Sequence, residues 1–289
     1  MNPDAIHRRD WLRLVGLATA STSLAPVVGA ESKPSAEEER LKTLHAHPPP
    51  QLRMGSEQIA ILVYPEFTAL DALGPHYALA GMMGAMVRFV AKTRDPVPSE
   101  GAAKGGFMVK PHQTFDEVGD GLDLLLVPGG LTGTLAALAD DATLRFLRER
   151  GGKAKLVGSV CTGSLLLGAA GLLRGRRATS HWQLLEVLNV AGATPVAERV
   201  VFDGTDRVTA AGVSAGLDLG FELIRRFRGD FYAKGMQLLG EYDPHPPFAG
   251  GGNPRTADKV VVDMLNTMHA PLIPRFKEAV AAAMSRATR

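Results

Sequence analysis

The chain carries a single cysteine, and it stands where a thiol can act as a nucleophile. It lies in Gly158-Ser159-Val160-Cys161-Thr162-Gly163-Ser164, between an apolar run at 156–160 and a helix of small residues. A buried strand that turns sharply into a helix lifts the residue at the turn above the sheet. This is the logic of the G-x-S-x-G elbow, and it needs small residues two positions to either side, here Ser159 and Gly163. A thiol at a helix N-terminus also faces free amides and the positive end of the dipole, so the sequence predicts a cysteine favoured as thiolate. The same residues also fit a buried structural cysteine.

The second chemical candidate is Asp71, in Tyr64-Pro65-Glu66-Phe67-Thr68-Ala69-Leu70-Asp71-Ala72-Leu73-Gly74-Pro75. By itself an aspartate here reads as a helix cap. A parallel sheet, however, brings the turn after the first strand beside the turn at Cys161. A carboxyl group next to a thiol in an apolar pocket has a raised pKa, because burial and a like-charged neighbour both disfavour the ionised form. It then holds a proton to donate, and the two groups titrate as a coupled pair.

These residues need elements to position them. Residues 59–64 form a short apolar run ended by Pro65, as in a strand buried on both faces. A helix is expected at 71–82, strands at 86–91 and 122–127, and a helix opened by Thr132 or Thr134 that carries Leu135, Leu138, Leu144, Phe146 and Leu147. A strand at 156–160, a helix at 163–172, a helix at 182–190, short strands at 200–202 and 208–210 and a helix at 215–227 follow. Two more helices, at 257–268 and 275–286, close the chain. Strands alternating with helices imply a doubly wound, mostly parallel α/β sheet with helices on both faces and its site at the carboxyl ends of the strands.

Composition narrows the function. Of 289 residues, 45% are hydrophobic and 21% charged, which is globular, and the net charge of +2 speaks against a nucleic-acid arm or a polybasic membrane surface. One cysteine excludes an intramolecular disulfide and any CxxC motif. Residues 1–30 read as an export signal: Arg8-Arg9, then Trp11-Leu12-Arg13, then an apolar stretch ending at Ala30. That stretch is interrupted by Thr19, Ser21, Thr22 and Ser23 and is too weak for a membrane span. Residues 31–55, with Pro34 and Pro48-Pro49-Pro50, read as a linker with room for one short helix. His45 and His47 lack the further ligands that a metal needs. The Arg174–Arg177 and Arg225–Arg228 clusters read as helix-end cations facing water, and Met82, Met83 and Met86 as packing.

Together the motifs resemble the ThiJ/PfpI superfamily, a class I glutamine amidotransferase-like group. They are Y-P-x-x-x-x-L-D-x-x-G-P, L-L-V-P-G-G, S-V-C-T-G-S, A-T-S-H-W and A-G-V-S-A-G-L-D. Within it the likeness is to the isonitrile hydratase branch, and it extends from 58 through Glu241-Tyr242-Asp243 and Pro246-Pro247-Phe248. The resemblance implies a flavodoxin-like domain at 56–240, with 241–289 as a helical extension packed on it. It implies Cys161 as nucleophile, Asp71 as its acidic partner and Thr162 assisting the thiol. It also implies a substrate pocket at Gly129, Gly130 and His181, unless His181 is simply a packed, hydrogen-bonded histidine. Asp218 would cap a helix or support the site from behind. The implied reaction is water addition to an isonitrile through a cysteine thioimidate, giving an N-formamide, with no metal or organic cofactor. A small-molecule substrate, a homodimer and no nucleic acid are expected. The leader resembles a twin-arginine signal with His7 and Trp11 as departures, which implies the twin-arginine export machinery, a periplasmic location and no membrane attachment after cleavage. Glyoxalase, deglycase or peptidase activity, and a ligand- or redox-sensing domain, are the alternatives. Thr162 after the cysteine, where peptidase-like members carry histidine, and Asp71, where deglycases carry glutamate, favour the hydratase branch.

Overall fold

Four-residue runs with no polar break, such as Leu124–Val127, suit only a strand covered on both faces, and the sheet is built from such runs. The computed structural model describes residues 35–46, 54–101 and 106–287, and the leader expected at 1–30 lies outside them. The chain divides into two units, Met1–His47 and Pro48–Arg289. In the first unit, helix α1 (Ala36–Ala46) starts with a capping box. The Ser35 amide donates to Glu38 Oε2 at 2.8 Å and the Glu38 amide donates to Ser35 Oγ at 3.2 Å.

The second unit holds a seven-stranded sheet. Its strands in chain order are β1 (Gln58–Leu62), β2 (Met86–Ala91), β5 (Gln113–Thr114), β6 (Leu124–Val127), β7 (Val157–Val160), β10 (Val200–Asp203) and β11 (Arg207–Ala210). Two minor ladders pair β3 (Val97–Pro98) with β4 (Met108–Val109) and β8 (Arg177–Ala178) with β9 (Thr194–Pro195). The spatial order of the main sheet is β10-β11-β7-β6-β1-β2-β5. Every neighbouring pair is parallel except β10 with β11. The fold is the flavodoxin-like, doubly wound α/β arrangement.

Helices cover both faces. On one, α2 (Ala69–Ala80) packs closely on α6 (Ala215–Leu239), where Pro75 and Ala78 meet Gly216 and Gly220. On the other lie α3 (Thr132–Ala139), α4 (Asp141–Gly151), α5 (Gly163–Ala169), a 3-10 helix (Trp182–Ala191) and α8 (Leu272–Ala287). Helix α8 buries Phe276, Val280 and Ala283 completely, the spacing of one helical stripe. Helix α7 (Lys259–His269) precedes it and buries none of its residues. No helix among the described residues is long and apolar enough to cross a membrane.

Several details differ from the sequence expectations. The helix expected to run from the threonines through Leu147 is two helices. Asp140 breaks it, accepting the Thr143 amide at 3.3 Å and the Thr143 hydroxyl at 2.7 Å as the cap of α4. Neither Thr132 nor Thr134 caps α3, which Leu131 precedes without a side-chain bond. Residues 182–191 wind as a 3-10 helix, opened by a tight bond from the Leu184 amide to the His181 carbonyl. Helix α6 continues past Phe227 to Leu239 through a bend at Gly229, whose φ of 82° only glycine adopts readily. The arginine clusters are engaged in pairs: Arg176 with Asp203 and Asp206, Arg177 with Glu198, Arg225 with Glu222, and Arg228 with Glu57 in a largely buried pair at 2.6 Å.

Candidate active site

The chain leaves β1 toward β2 on one side and returns as β6 on the other, so a crevice opens above their carboxyl ends. Three turns meet there. After β1 comes the first turn of α2 with Asp71, after β6 comes Pro128-Gly129-Gly130, and after β7 comes Cys161.

Cys161 has a φ of 58°, a left-handed conformation that costs a residue with a side chain about 1–2 kcal/mol. Its backbone is held on both sides. The amide donates to the Ala210 carbonyl at 3.0 Å, and the carbonyl accepts the hydroxyls of Ser164 at 3.0 Å and Ser180 at 3.2 Å. The turn is possible because Gly163 follows: a Cβ there would collide with the Val127 carbonyl oxygen. The elbow read from the sequence is therefore present.

Asp71 does not cap its helix. It is fully buried, and its Oδ2 accepts the Gly129 amide at 3.0 Å, while Oδ1 has no hydrogen-bond partner. Burial pushes its pKa up to about 8; the Gly129 amide and the neighbouring thiol pull it down, and the Glu100 carboxylate adds to the rise. Near pH 7 this carboxyl group keeps its proton. The Cys161 thiol is likewise pushed well above its ordinary value, first by burial and then by Asp71, with the Thr162 amide and hydroxyl acting the other way. The expected thiolate-favouring environment is thus reversed. Helix α5 has seven residues, all buried, and desolvation outweighs the effect of its N-terminus.

Thr162 sits in a network of hydroxyls. Its Oγ1 accepts the Gly130 amide at 3.0 Å, donates to the Gly130 carbonyl at 2.8 Å and lies 2.9 Å from Thr134 Oγ1. Thr134 in turn lies 3.0 Å from the hydroxyl of the buried Tyr64, which donates to the Pro128 carbonyl at 2.8 Å. Three hydroxyl protons serve four such contacts, so the network has one proton fewer than its bonds require. The Thr162 hydroxyl also lies against the Cys161 sulfur, whose pKa it lowers. This network also means that both amides of the turn after β6 are already engaged. Gly129 N–H holds the carboxylate oxygen of Asp71 and Gly130 N–H holds the Thr162 hydroxyl.

A cavity of about 180 Å³ opens beside Cys161, Thr162 and Gly130. His181 forms one wall, and it crowds the sulfur: a Cβ on Gly212 would lie 2.6 Å from His181 Cδ2 and 2.9 Å from Cys161 Sγ. Burial, with a contribution from His269, lowers the His181 pKa below its usual 6.5, so this imidazole is neutral near pH 7. The structure therefore brings Cys161, Asp71, Thr162, Gly129, Gly130 and His181 together, with Cys161, Thr162, Gly130 and His181 on the cavity wall and Asp71 and Gly129 buried behind it. Asp218 is not on the cavity wall; it pairs with Arg199 and accepts the Tyr242 hydroxyl at 2.6 Å. Sequence reasoning missed eight of the twelve wall residues; four of these stand out: Glu100, Gln183, His269 and Leu272. None sits in a motif, and two of them come from the tail, tied down where Gln183 Nε2 donates to the Leu265 carbonyl at 2.9 Å. Among the described residues no three His, Cys, Asp or Glu side chains converge as a metal site.

The DJ-1/PfpI family pattern matches residues 57–226, which span all three turns. The chain belongs to the DJ-1/PfpI family. It is 42% identical to the isonitrile hydratase of Pseudomonas putida over 214 residues, 74% of this chain and 90% of that protein. A crystal structure of a ThiJ/PfpI family protein from Pseudomonas syringae superposes with a TM-score of 0.76 at 43% identity, covering 82% of this chain and 99% of that one. Deglycase PfpI of Pyrococcus furiosus is 35% identical over 102 residues, 35% of this chain and 61% of that protein. The DJ-1/PfpI match stops before α7 and α8, so the wall formed by His269 and Leu272 lies beyond the family's matched segment.

Proposed function

We propose that this chain is a cysteine-dependent hydro-lyase that adds water to an isonitrile to give an N-formamide. The observation that carries the reading is the state of the turn after β6. Acyl transfer ordinarily uses two free donors aimed at a developing oxyanion, and with the Gly129 and Gly130 amides occupied this turn adds none to the Thr162 amide that faces the sulfur. An isonitrile has no carbonyl oxygen. Its terminal carbon needs a nucleophile and a proton, which the thiol and the protonated carboxyl beside it supply. The likeness to the Pseudomonas putida isonitrile hydratase over most of both chains supports the same reaction.

In the proposed sequence, Cys161 Sγ bonds to the isonitrile carbon while Asp71 delivers a proton to that carbon. Asp71 recovers a proton from the thiol, so R–N≡C and the thiol combine to the thioimidate R–N=CH–S–Cys161. The Thr162 hydroxyl turns its proton to the sulfur as negative charge gathers there. Water adds across the C=N bond, and the adduct collapses to R–NH–CHO and the free thiol. The reading includes a homodimer and export by the twin-arginine route with residues 1–30 as leader.

The test is turnover of p-tolyl isonitrile, with the formamide quantified by mass spectrometry. Cys161→Ala is expected to form no product while unfolding at the parent temperature. Product from that variant at the parent rate overturns the covalent scheme. Methylglyoxal offered in parallel separates hydration from deglycase or glyoxalase activity.

A further inference from the structure

Among the described residues, the charge at the cavity mouth is one-sided. Glu100 is the carboxylate on the wall, and the wall includes no lysine or arginine among the described residues. Its placement is built rather than incidental. The Glu100 amide donates to the Phe67 carbonyl at 2.9 Å, and the Thr68 hydroxyl donates to Glu100 Oε2 at 3.0 Å. Both partners belong to the turn that carries Asp71, so this carboxylate is fixed to the same loop as the acid. It is exposed at the point where a substrate enters. Behind it the wall is Leu131, Leu184, Val213 and Leu272, with the neutral His181. The carboxylate raises the pKa of the buried Asp71, so its field reaches the reacting atoms.

We propose that Glu100 selects the substrate by charge, admitting small neutral or cationic molecules with an apolar body and rejecting those that carry a carboxylate or phosphate. The cavity of about 180 Å³ has room for roughly one small ring beside the sulfur and opens to solvent beyond it. For an isonitrile hydratase this means alkyl and aryl isonitriles, with or without an amine, in preference to isonitriles derived from free amino acids or carboxylated rings. The inference rests on the reading of Cys161 as the reactive centre.

Alkylation of the thiol tests it without requiring hydration. Iodoacetamide and iodoacetate each form a C–S bond with Cys161 and expel iodide, and they differ by one negative charge. In the parent protein iodoacetamide is expected to outpace iodoacetate by about fivefold more than it does with free glutathione, as a charge a few ångströms from the path dictates. Glu100→Gln is expected to remove most of that excess, Glu100→Lys to invert it, and 0.5 M salt to shrink it in the parent. The same ratio in all three proteins overturns the proposal. A second arm compares p-tolyl isonitrile with 4-carboxyphenyl isonitrile, where Glu100→Gln is expected to lower KM for the carboxylated compound selectively. If neither isonitrile is hydrated but the alkylation ratios move as stated, the hydratase reading fails and the charge filter stands.

Discussion

The Gly129 amide donates to Asp71 Oδ2 at 3.0 Å, so the turn after β6 holds in place the carboxyl group that stands beside Cys161. This single bond joins two strands that are neighbours in the sheet and 58 residues apart in the chain. It also decides chemistry, because an amide engaged this way is lost as an oxyanion donor.

Asp71→Asn separates activity from stability. Asparagine keeps an oxygen for the Gly129 amide but has no acidic proton, so hydration is expected to fall by at least a hundredfold. Stability moves the other way. A carboxyl whose pKa rises from 3.8 unfolded to about 8 folded is protonated in the native state and ionised in the unfolded state between those values. Folding stability then falls by about 1.4 kcal/mol per pH unit as pH rises from 4 toward 8, and levels off above. The melting temperature of Asp71→Asn should therefore exceed the parent's at pH 7 and match it near pH 4. Equal melting temperatures at both pH values would show that the carboxyl is not buried with its proton.

The parent pH profile follows from the same group. With Asp71 as proton donor, kcat/KM is expected to decline above about pH 8, and the residual rate of Asp71→Asn is expected to lack that limb. An unchanged alkaline limb in the variant removes Asp71 from the proton transfer.

Thr134 acts only through Thr162. Thr134→Val deletes the hydroxyl between Tyr64 and Thr162 and leaves buried polar atoms short of a partner, at a cost of about 1–3 kcal/mol. Its particular signature is the pH dependence of iodoacetamide alkylation of Cys161, which should shift to higher pH as the Thr162 hydroxyl loses its orientation. Thr134→Ser should restore the parent curve. A loss of stability with no movement of that curve reduces Thr134 to packing.

Gly129 is sterically required. A Cβ there would lie 2.6 Å from both the Thr162 amide nitrogen and hydroxyl oxygen, and 2.9 Å from Cys161 Cβ. Gly129→Ala is expected to cost about 1–3 kcal/mol and most of the activity, since the elbow itself must shift. A variant with the parent's melting point and turnover would show that the three turns are less tightly joined.

The export reading has its own measurement. Expressed in a bacterium with a twin-arginine pathway, the chain should be recovered from the periplasm with a new N-terminus near Glu31, and replacing Arg8-Arg9 with Lys-Lys should retain it in the cytoplasm. Recovery with Met1 intact from the periplasm overturns a cleaved leader.

Much of the fold was legible because local rules apply to it. Apolar runs, ended by proline at β1 and β6 and by Cys161 at β7, marked the central strands, and alternation with helices marked the parallel sheet. The elbow at Cys161 and the acidic partner at Asp71 were legible because each follows the end of a strand. The two-residue strands β3, β4, β5, β8 and β9 were not, since such short pairings leave no periodic pattern.

What the chain alone settled was which groups exist and at which strand ends they stand: one thiol, one carboxyl between apolar neighbours, and small residues where the backbone must turn. Protonation was decided by the tertiary structure. The sequence predicted a raised Asp71 but a thiolate at the helix N-terminus, whereas burial of the whole turn raised the thiol as well, a many-body effect that no local spacing records. The same holds for the cavity wall. Glu100, His269 and Leu272 reach it from a distant loop and from the tail, because the packing of α8 on the sheet's helices, not neighbourhood in sequence, determines which side chains face the sulfur.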